Sequence, residues 1–122
     1  MSNESNLSIL TELKGFTAEE TRAVALKALT GIVLGTPVDE GRARGNWQLS
    51  EGQPIMTDVD LLDKGGSVAI NKGVSVIQAN RLKDYMVFWI TNNLPYIVPL
   101  NNGSSKQAPK FFVETAIKIA AR

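Results

Sequence analysis

The charged residues that could do chemistry in this chain are concentrated in one short segment. Asp39 and Glu40 are adjacent carboxylates, and Arg42 and Arg44 follow them directly. Paired carboxylates can work as general acid and base when burial pushes their pKa values apart. Here they stand beside two arginines in a segment rich in glycine. We therefore interpret them as a solvated or inter-subunit ion-pair cluster rather than as a catalytic pair.

The residue types that most active sites need are missing from the sequence. The chain has no histidine and no cysteine, which removes the commonest general base, the commonest transition-metal ligand and all thiol chemistry. Serines are plentiful, but only a lysine could activate one, and no lysine–serine signature is present. We predict that the protein is not an enzyme, has no catalytic, cofactor-binding or metal-binding residues, and needs no cofactor.

Two further patterns resemble binding motifs but fail on spacing. Three aspartates follow the first glycine-rich segment: Asp58, Asp60 and Asp63. An EF-hand counted from Asp58 would need glycine and glutamate where Asp63 and Ala69 stand, so we predict an exposed, solvated acidic loop. The glycines in 31–35 lie at the end of a predicted helix, whereas a phosphate loop precedes one. No Gly-Lys-Ser/Thr follows them or Gly65-Gly66, so neither segment is predicted to be a phosphate loop.

The aromatic residues offer a possible stacking platform for nucleic-acid bases: Trp47, Phe88, Trp89 and Tyr96. Their interleaving with aliphatic residues in predicted strands favours core positions instead. The 13 Lys and Arg against 12 Asp and Glu give a net charge of +1. No basic run accompanies the aromatics, so specific DNA binding is not expected. A small nucleic-acid-binding accessory protein nevertheless stays the alternative function.

Composition and length indicate what kind of fold carries these residues. The 122 residues, 43% of them hydrophobic, suit one globular domain with a modest core. The first residues are polar, so no signal peptide is predicted. The longest apolar run, Met86 to Ile90, is far too short to span a bilayer, and no membrane partner is expected.

Local signals predict three main helices. Thr17 and Glu20 form a capping box that begins a helix over 18–34, and Gly35 and Pro37 end it. Residues 67–82 carry many β-branched side chains, but their apolar spacing favours a middle helix, with Gly73 costing about 1 kcal/mol relative to alanine. A closing helix begins after Pro109 and covers 110–122.

The remaining segments predict a small sheet and loops. Residues 39–45 form a charged turn, 46–50 a half-buried strand, and 55–64 an irregular segment. Residues 85–91 are apolar on both faces and predict a central strand. After a turn at Asn92-Asn93, residues 96–98 are expected to form its antiparallel neighbour.

The predicted fold class is therefore α+β, a small, mostly antiparallel sheet with N-terminal, middle and C-terminal helices packed on it. Residues 17–122 form the single domain. Residues 1–16 form an N-terminal arm or short helix, because Leu7, Leu10 and Leu13 are spaced three apart. This segment packs either on its own core or on a neighbouring subunit.

The two loop segments, taken in order, resemble a known family. Residues 37–47 read PVDEGRARGNW, residues 92–96 read NNLPY, and residues 107–109 read QAP before the closing helix. The order and spacing resemble the tail-completion and head–tail joining proteins of tailed bacteriophages, including those similar to the lambda minor tail protein Z. The resemblance covers about residues 17–122. The family pattern there is PVDxGRxRxS/NW, then NxxPYAxxLE, then SxQAP.

The chain departs from this pattern in three places. Glu40 stands where the family usually has Thr or Ser, and Ile97 stands where a small residue is common. Asn101 stands where Glu often follows the leucine, so a salt bridge made there in relatives is not implied here. Both arginines, Trp47, Pro95, Tyr96 and residues 107–109 are retained.

The resemblance implies a structural virion protein without catalysis. Such proteins are synthesised in the host bacterial cytoplasm and form homo-oligomeric rings at the head–tail junction, as tail completion, terminator or neck components. Their partners are further copies of themselves, the phage connector or adaptor proteins and the tail tube protein. DNA would pass through the ring without specific binding.

The resemblance and the loop chemistry together suggest an assembly interface in two parts. Arg42 and Arg44 are expected to pair with carboxylates of a neighbour, since arginine suits bidentate interface contacts. Residues 102–106 are expected to form a mobile loop that faces a ring neighbour or the tail tube. The predicted interface residues are Asp39, Glu40, Arg42, Arg44, Asn102, Gly103, Ser104, Ser105, Lys106 and Gln107.

Overall fold

Three strands form one antiparallel sheet in the computed structural model, which describes residues 7–10, 16–104 and 110–122. The strands are β1 (Leu7–Leu10), β2 (Gln48–Glu51) and β3 (Phe88–Asn92), in the order β1-β3-β2. Ile90 at the centre of β3 is in register with Ile9 of β1 on one side and with Leu49 of β2 on the other. The prediction of a central strand is therefore confirmed, although β3 begins at Phe88 rather than at residue 85.

In the part of the chain that the structure describes, five helices accompany the sheet: α1 (Ala18–Gly35), α2 (Arg42–Gly45), α3 (Ser67–Ala79), α4 (Ile97–Asn101) and α5 (Phe112–Ala120). The capping box that begins α1 is confirmed, because the Glu20 amide donates to Thr17 Oγ1 at 3.0 Å and the Thr17 amide donates to Glu20 Oε1 at 2.9 Å. The middle and closing helices are also confirmed in α3 and α5. The fold is α+β, as the sequence predicted.

Helix α1 is the centre of the core. Leu29, Ile32 and Val33 have no exposed surface, which agrees with an amphipathic helix whose apolar stripe faces inward. On another side α1 meets α5, where Gly31 lies against Ala116 and Gly35 against Phe112. The absent side chains let the two helices approach closely, so these glycines serve packing within α1.

Gly73 in α3 has a similar role that the sequence did not reveal. A Cβ at this position would collide with Leu29 Cδ2 of α1 and contact Leu49 Cβ of β2. The glycine therefore lets α3 pack against both elements at once. The sequence predicted only its propensity cost.

The structure corrects two local assignments. Residues 7–10 form β1, so the short-helix alternative for the N-terminal segment is wrong there, because β3 offers them a free edge of unpaired backbone groups. Residues 1–6 and 11–15 of that segment lie outside the described residues. Residues 96–98 do not pair with β3, since Ile97 begins α4. The Asn92 side chain accepts a hydrogen bond from the Leu94 amide at 3.1 Å and turns the chain immediately after β3.

Three smaller expectations are also wrong. The predicted turn at 39–45 contains α2, which begins after Gly41 in a left-handed conformation. Asp63 was predicted to be exposed, but it is buried, and the hydrogen bond that its Oδ2 accepts from the Ala69 amide in the first turn of α3 offsets the cost of that burial. Tyr85 was assigned to the central strand, but it lies in the preceding loop with 80% of its surface exposed.

Candidate assembly interface

The segment after α1 is fixed in place by backbone contacts. The Gly41 carbonyl accepts the amides of Gly45 at 2.9 Å and Asp63 at 3.0 Å. Gly41 has φ 87°, and a Cβ there would collide with the backbone of Asp63 and Lys64. Only glycine satisfies both the left-handed conformation and this close approach. The charged segment is therefore tied to the 63–64 turn before α3.

Arg44 strengthens the same connection through its guanidinium. Its Nε donates to Thr36 O at 3.0 Å, and its terminal nitrogens donate to Lys64 O and Leu34 O, each at 2.9 Å. It thus joins the end of α1 to the turn before α3. The sequence predicted a carboxylate of a neighbouring subunit as its partner, whereas the bonds found here are to carbonyls of its own chain.

Arg42 occupies a more open position than Arg44. Its guanidinium donates to Asp60 Oδ1 at 3.0 Å, and the two side chains are 39% and 94% exposed. The hydrogen bond to Asp60 raises the pKa of Arg42 above its ordinary value. The pair lies within one chain, yet both groups stay accessible to a second carboxylate or cation.

Asp39, Glu40 and Arg42 surround a cleft that the second loop segment completes. The cleft encloses about 220 Å³ and is lined by residues 37–43 together with Tyr96 and Leu100. Asp39 and Glu40 are exposed at its rim. Burial raises the pKa of the Tyr96 phenol; the charge of Arg42 opposes this rise and those of Glu40 and Asp39 add to it. The structure therefore brings the two sequence motifs together at one surface.

Part of the second predicted interface segment is described. After α4, the amides of Asn102, Gly103 and Ser104 donate to the carbonyls of Val98, Leu100 and Pro99. These bonds hold the beginning of the predicted loop against α4. The remaining predicted residues, Ser105, Lys106 and Gln107, lie outside the described residues.

Two buried asparagines support the site, and the sequence did not indicate them. Asn92 Nδ2 donates to Ala43 O at 3.0 Å, so it links the end of β3 to α2. Asn46 donates to Arg42 O and pairs in both directions with the backbone of Val59. Both asparagines are fully buried. An asparagine at the boundary of a predicted strand was the available signal, but the contacts with Val59 and Ala43 join segments that are separate in the sequence.

Asn101 has a clear intrachain role. Its Oδ1 accepts the Val113 amide at 3.1 Å, its Nδ2 donates to Glu114 Oε1 at 2.8 Å, and its carbonyl accepts the Phe111 amide. It therefore satisfies amides at the first turn of α5. The residue therefore couples α4 to α5.

The aromatic residues divide between core and surface. Trp47 and Phe88 are buried, which confirms the core interpretation for these two. The Trp47 indole donates to Thr36 Oγ1 at 2.8 Å, and that hydroxyl donates to Ile32 O. Trp89 is half-buried and Tyr96 is 42% exposed. The four rings do not form one exposed stacking surface.

The acidic residues do not converge on a common point. Asp60 pairs with Arg42 and Asp63 caps α3, while Asp58 is exposed. Within residues 7–10, 16–104 and 110–122, no group of three or more acidic residues could hold a metal ion. Across the same described residues, none of the helices is sufficiently long and apolar to cross a membrane.

Comparison of the chain with models of protein families, with curated proteins and with solved structures found no match.

Proposed function

We propose that this protein is a structural virion component of a tailed bacteriophage. In this proposal it forms a ring at the head–tail junction, as a tail completion, terminator or neck protein, and joins the connector to the tail tube. The proposal derives from the order of the PVDEGRARGNW, NNLPY and QAP segments. It includes no catalytic step and no cofactor.

One structural observation supports the proposal most directly. The first two of these segments are far apart in sequence but line one cleft, with Asp39 and Glu40 exposed at its rim. Gly41, Arg44 and Asn92 hold the cleft in a fixed shape through intrachain bonds. A charged surface held by several intrachain bonds is suited to contact another protein, because little conformational entropy is lost on binding.

The test is complementation of a phage whose copy of this chain has been disrupted. Without the chain, electron microscopy should show separate heads and tails, and supplying the wild-type chain should restore joined particles. The double variant Asp39→Lys/Glu40→Lys should fold but restore at least tenfold fewer infectious particles, because it reverses the charge of the cleft rim.

A matched control separates the cleft from general charge effects. Glu19→Lys/Asp58→Lys makes the same change in net charge at exposed positions that do not line the cleft, and it should restore joining. Normal particles in the absence of the chain would contradict the proposed function. Full rescue by the Asp39/Glu40 variant would contradict the role of the cleft. Salt-dependent DNA binding by the purified chain would instead favour the nucleic-acid-binding alternative.

A further inference from the structure

The loop between α3 and β3 presents two large apolar side chains to solvent. Leu82 is 86% exposed and Tyr85 is 80% exposed, the highest values among the large hydrophobic residues described. We call these two side chains the apolar knob. Scattered exposed apolar residues are ordinary, but a pair at the tip of one loop marks a candidate protein contact.

The backbone beneath the knob is anchored from two elements, α1 and β2. Arg22 of α1 donates to the carbonyls of Asn80 at 3.3 Å and Lys83 at 3.2 Å. Lys83 pairs with Glu51 of β2 at 2.7 Å, and Glu51 also accepts the Val87 amide at 3.4 Å. These bonds hold the loop while Leu82 and Tyr85 stay outside. The knob is therefore preorganised for binding.

A separate surface of the same chain carries an apolar groove. It lies between α1 and α5, encloses about 570 Å³, and has Gly31, Gly35 and Ala116 among the residues that line it. Leu26, Phe112 and Ile119 supply larger apolar walls, and Ile119 is 57% exposed. Lys27 is the charged residue among those that line the groove.

We infer that the knob of one copy binds in the α1–α5 groove of the next copy. Leu82 and Tyr85 offer the apolar surface that the groove can cover. Asp84, exposed between them, supplies a carboxylate for the neighbour's Lys27. The two basic residues of the loop are engaged within their own chain, Arg81 with Gln78 O and Lys83 with Glu51. Every copy carries both surfaces, so a second copy of this chain meets both requirements.

Knob and groove share no residue, which makes the contact heterologous. Heterologous contacts produce a ring when the rotation between subunits closes and an open filament when it does not. The inference rests on the proposed function, because it specifies the subunit contact of the proposed ring. It adds a contact outside the Asp39–Tyr96 cleft, leaving that cleft free for a different partner.

Disulfide trapping tests the contact without interference, since the native chain has no cysteine. Tyr85→Cys and Ile119→Cys are prepared as separate proteins, mixed and mildly oxidised. Both sites are exposed, so the variants should fold. The mixture should give at least fivefold more covalent dimer on a non-reducing gel than either protein alone. A single chain carrying both changes should give a ladder of covalent oligomers.

The control uses Lys72→Cys, an exposed position on α3 outside both surfaces, mixed with Ile119→Cys. Equal dimer yields from this mixture would indicate random collision and overturn the inference. Dimer from Tyr85→Cys alone would indicate a symmetric knob-to-knob contact and would also overturn it. A disulfide between Ile119→Cys and a different virion protein would likewise overturn the inference.

The trapping is repeated in phage particles complemented with the chain that carries both changes. Absence of the specific disulfide in purified protein and in particles overturns the inference. If the chain is still required for head–tail joining, the proposed function survives that failure. Conversely, a specific disulfide in a chain that phage assembly does not need would sustain the contact and contradict the proposed function.

Discussion

At the scale of single residues, the neighbouring Arg42 and Arg44 have different roles. Arg44 donates to three carbonyls from two separate segments of its own chain. Arg42 makes one ion pair with an almost fully exposed aspartate. Planar guanidinium donors suit several fixed carbonyls, whereas an exposed ion pair contributes little because water screens it. Arg44 is therefore structural, while Arg42 is available at the surface.

We expect Arg44→Ala to lower the free energy of unfolding by about 2 to 3 kcal/mol, because it removes charge-assisted hydrogen bonds to several carbonyls. Arg42→Ala should lower it by less than about 1 kcal/mol. Urea unfolding followed by tryptophan fluorescence measures both. Arg44→Lys is the control, since it keeps the charge but loses the planar donor geometry. An equal loss of unfolding free energy in Arg44→Ala and Arg42→Ala would contradict the different roles assigned to the two arginines.

At the scale of elements, packing decides which positions tolerate substitution. Helix α3 carries Gly73 at the point where it meets α1 and β2, and Leu29 fills the space a Cβ would need. The glycine lowers intrinsic helix propensity by about 1 kcal/mol. Close approach of the three elements outweighs that cost, since it allows their apolar surfaces to be buried together.

Gly73→Ala should accordingly destabilise the protein by about 1 to 3 kcal/mol through overpacking, although alanine is the better helix former. Gly65→Ala serves as the control because a Cβ there meets open space within 4 Å. That variant should leave stability unchanged or slightly higher. Chemical denaturation of both variants checks the expectation. An increase in stability for Gly73→Ala would show that α1 and α3 relax apart at little cost.

At the scale of the whole molecule, acidic side chains make stability depend on pH. The hydrogen bond from Lys83 lowers the pKa of Glu51, and the amide of Thr17 lowers the pKa of Glu20. A carboxyl whose pKa is lower in the folded state stabilises the fold above its unfolded pKa, about 4.3 for glutamate. That stabilisation is lost as pH falls through the folded-state pKa.

We therefore expect the unfolding midpoint in urea to fall as pH decreases below about 4.3, with part of the decline caused by Glu51. Glu51→Gln should reduce the difference in stability between neutral and acidic pH. Glu19→Gln is the control, since Glu19 makes no side-chain hydrogen bond among the described residues. An identical pH slope in wild type and Glu51→Gln would contradict the role of Glu51. Loss of the Glu51–Lys83 pair at low pH should also loosen the loop that carries the apolar knob.

The sequence by itself determined the features that depend on near neighbours along the chain. The capping box of Thr17 and Glu20 and the apolar residues of β3 were sufficient to predict α1 and the central strand. The α+β class followed from them. The resemblance to phage tail-completion proteins rests on the same linear order of motifs, and the function it implies stays a prediction.

Only the tertiary structure decided the features that depend on distant partners. Residues 7–10 became a strand because β3 had a free edge, and residues 97–101 became a helix after the Asn92 side chain turned the chain. Arg44 became structural because its carbonyl partners converge there. The two loop segments line one cleft because folding brings them together from distant parts of the sequence. Local propensity cannot encode such contacts, since each depends on where a remote backbone group lies after folding.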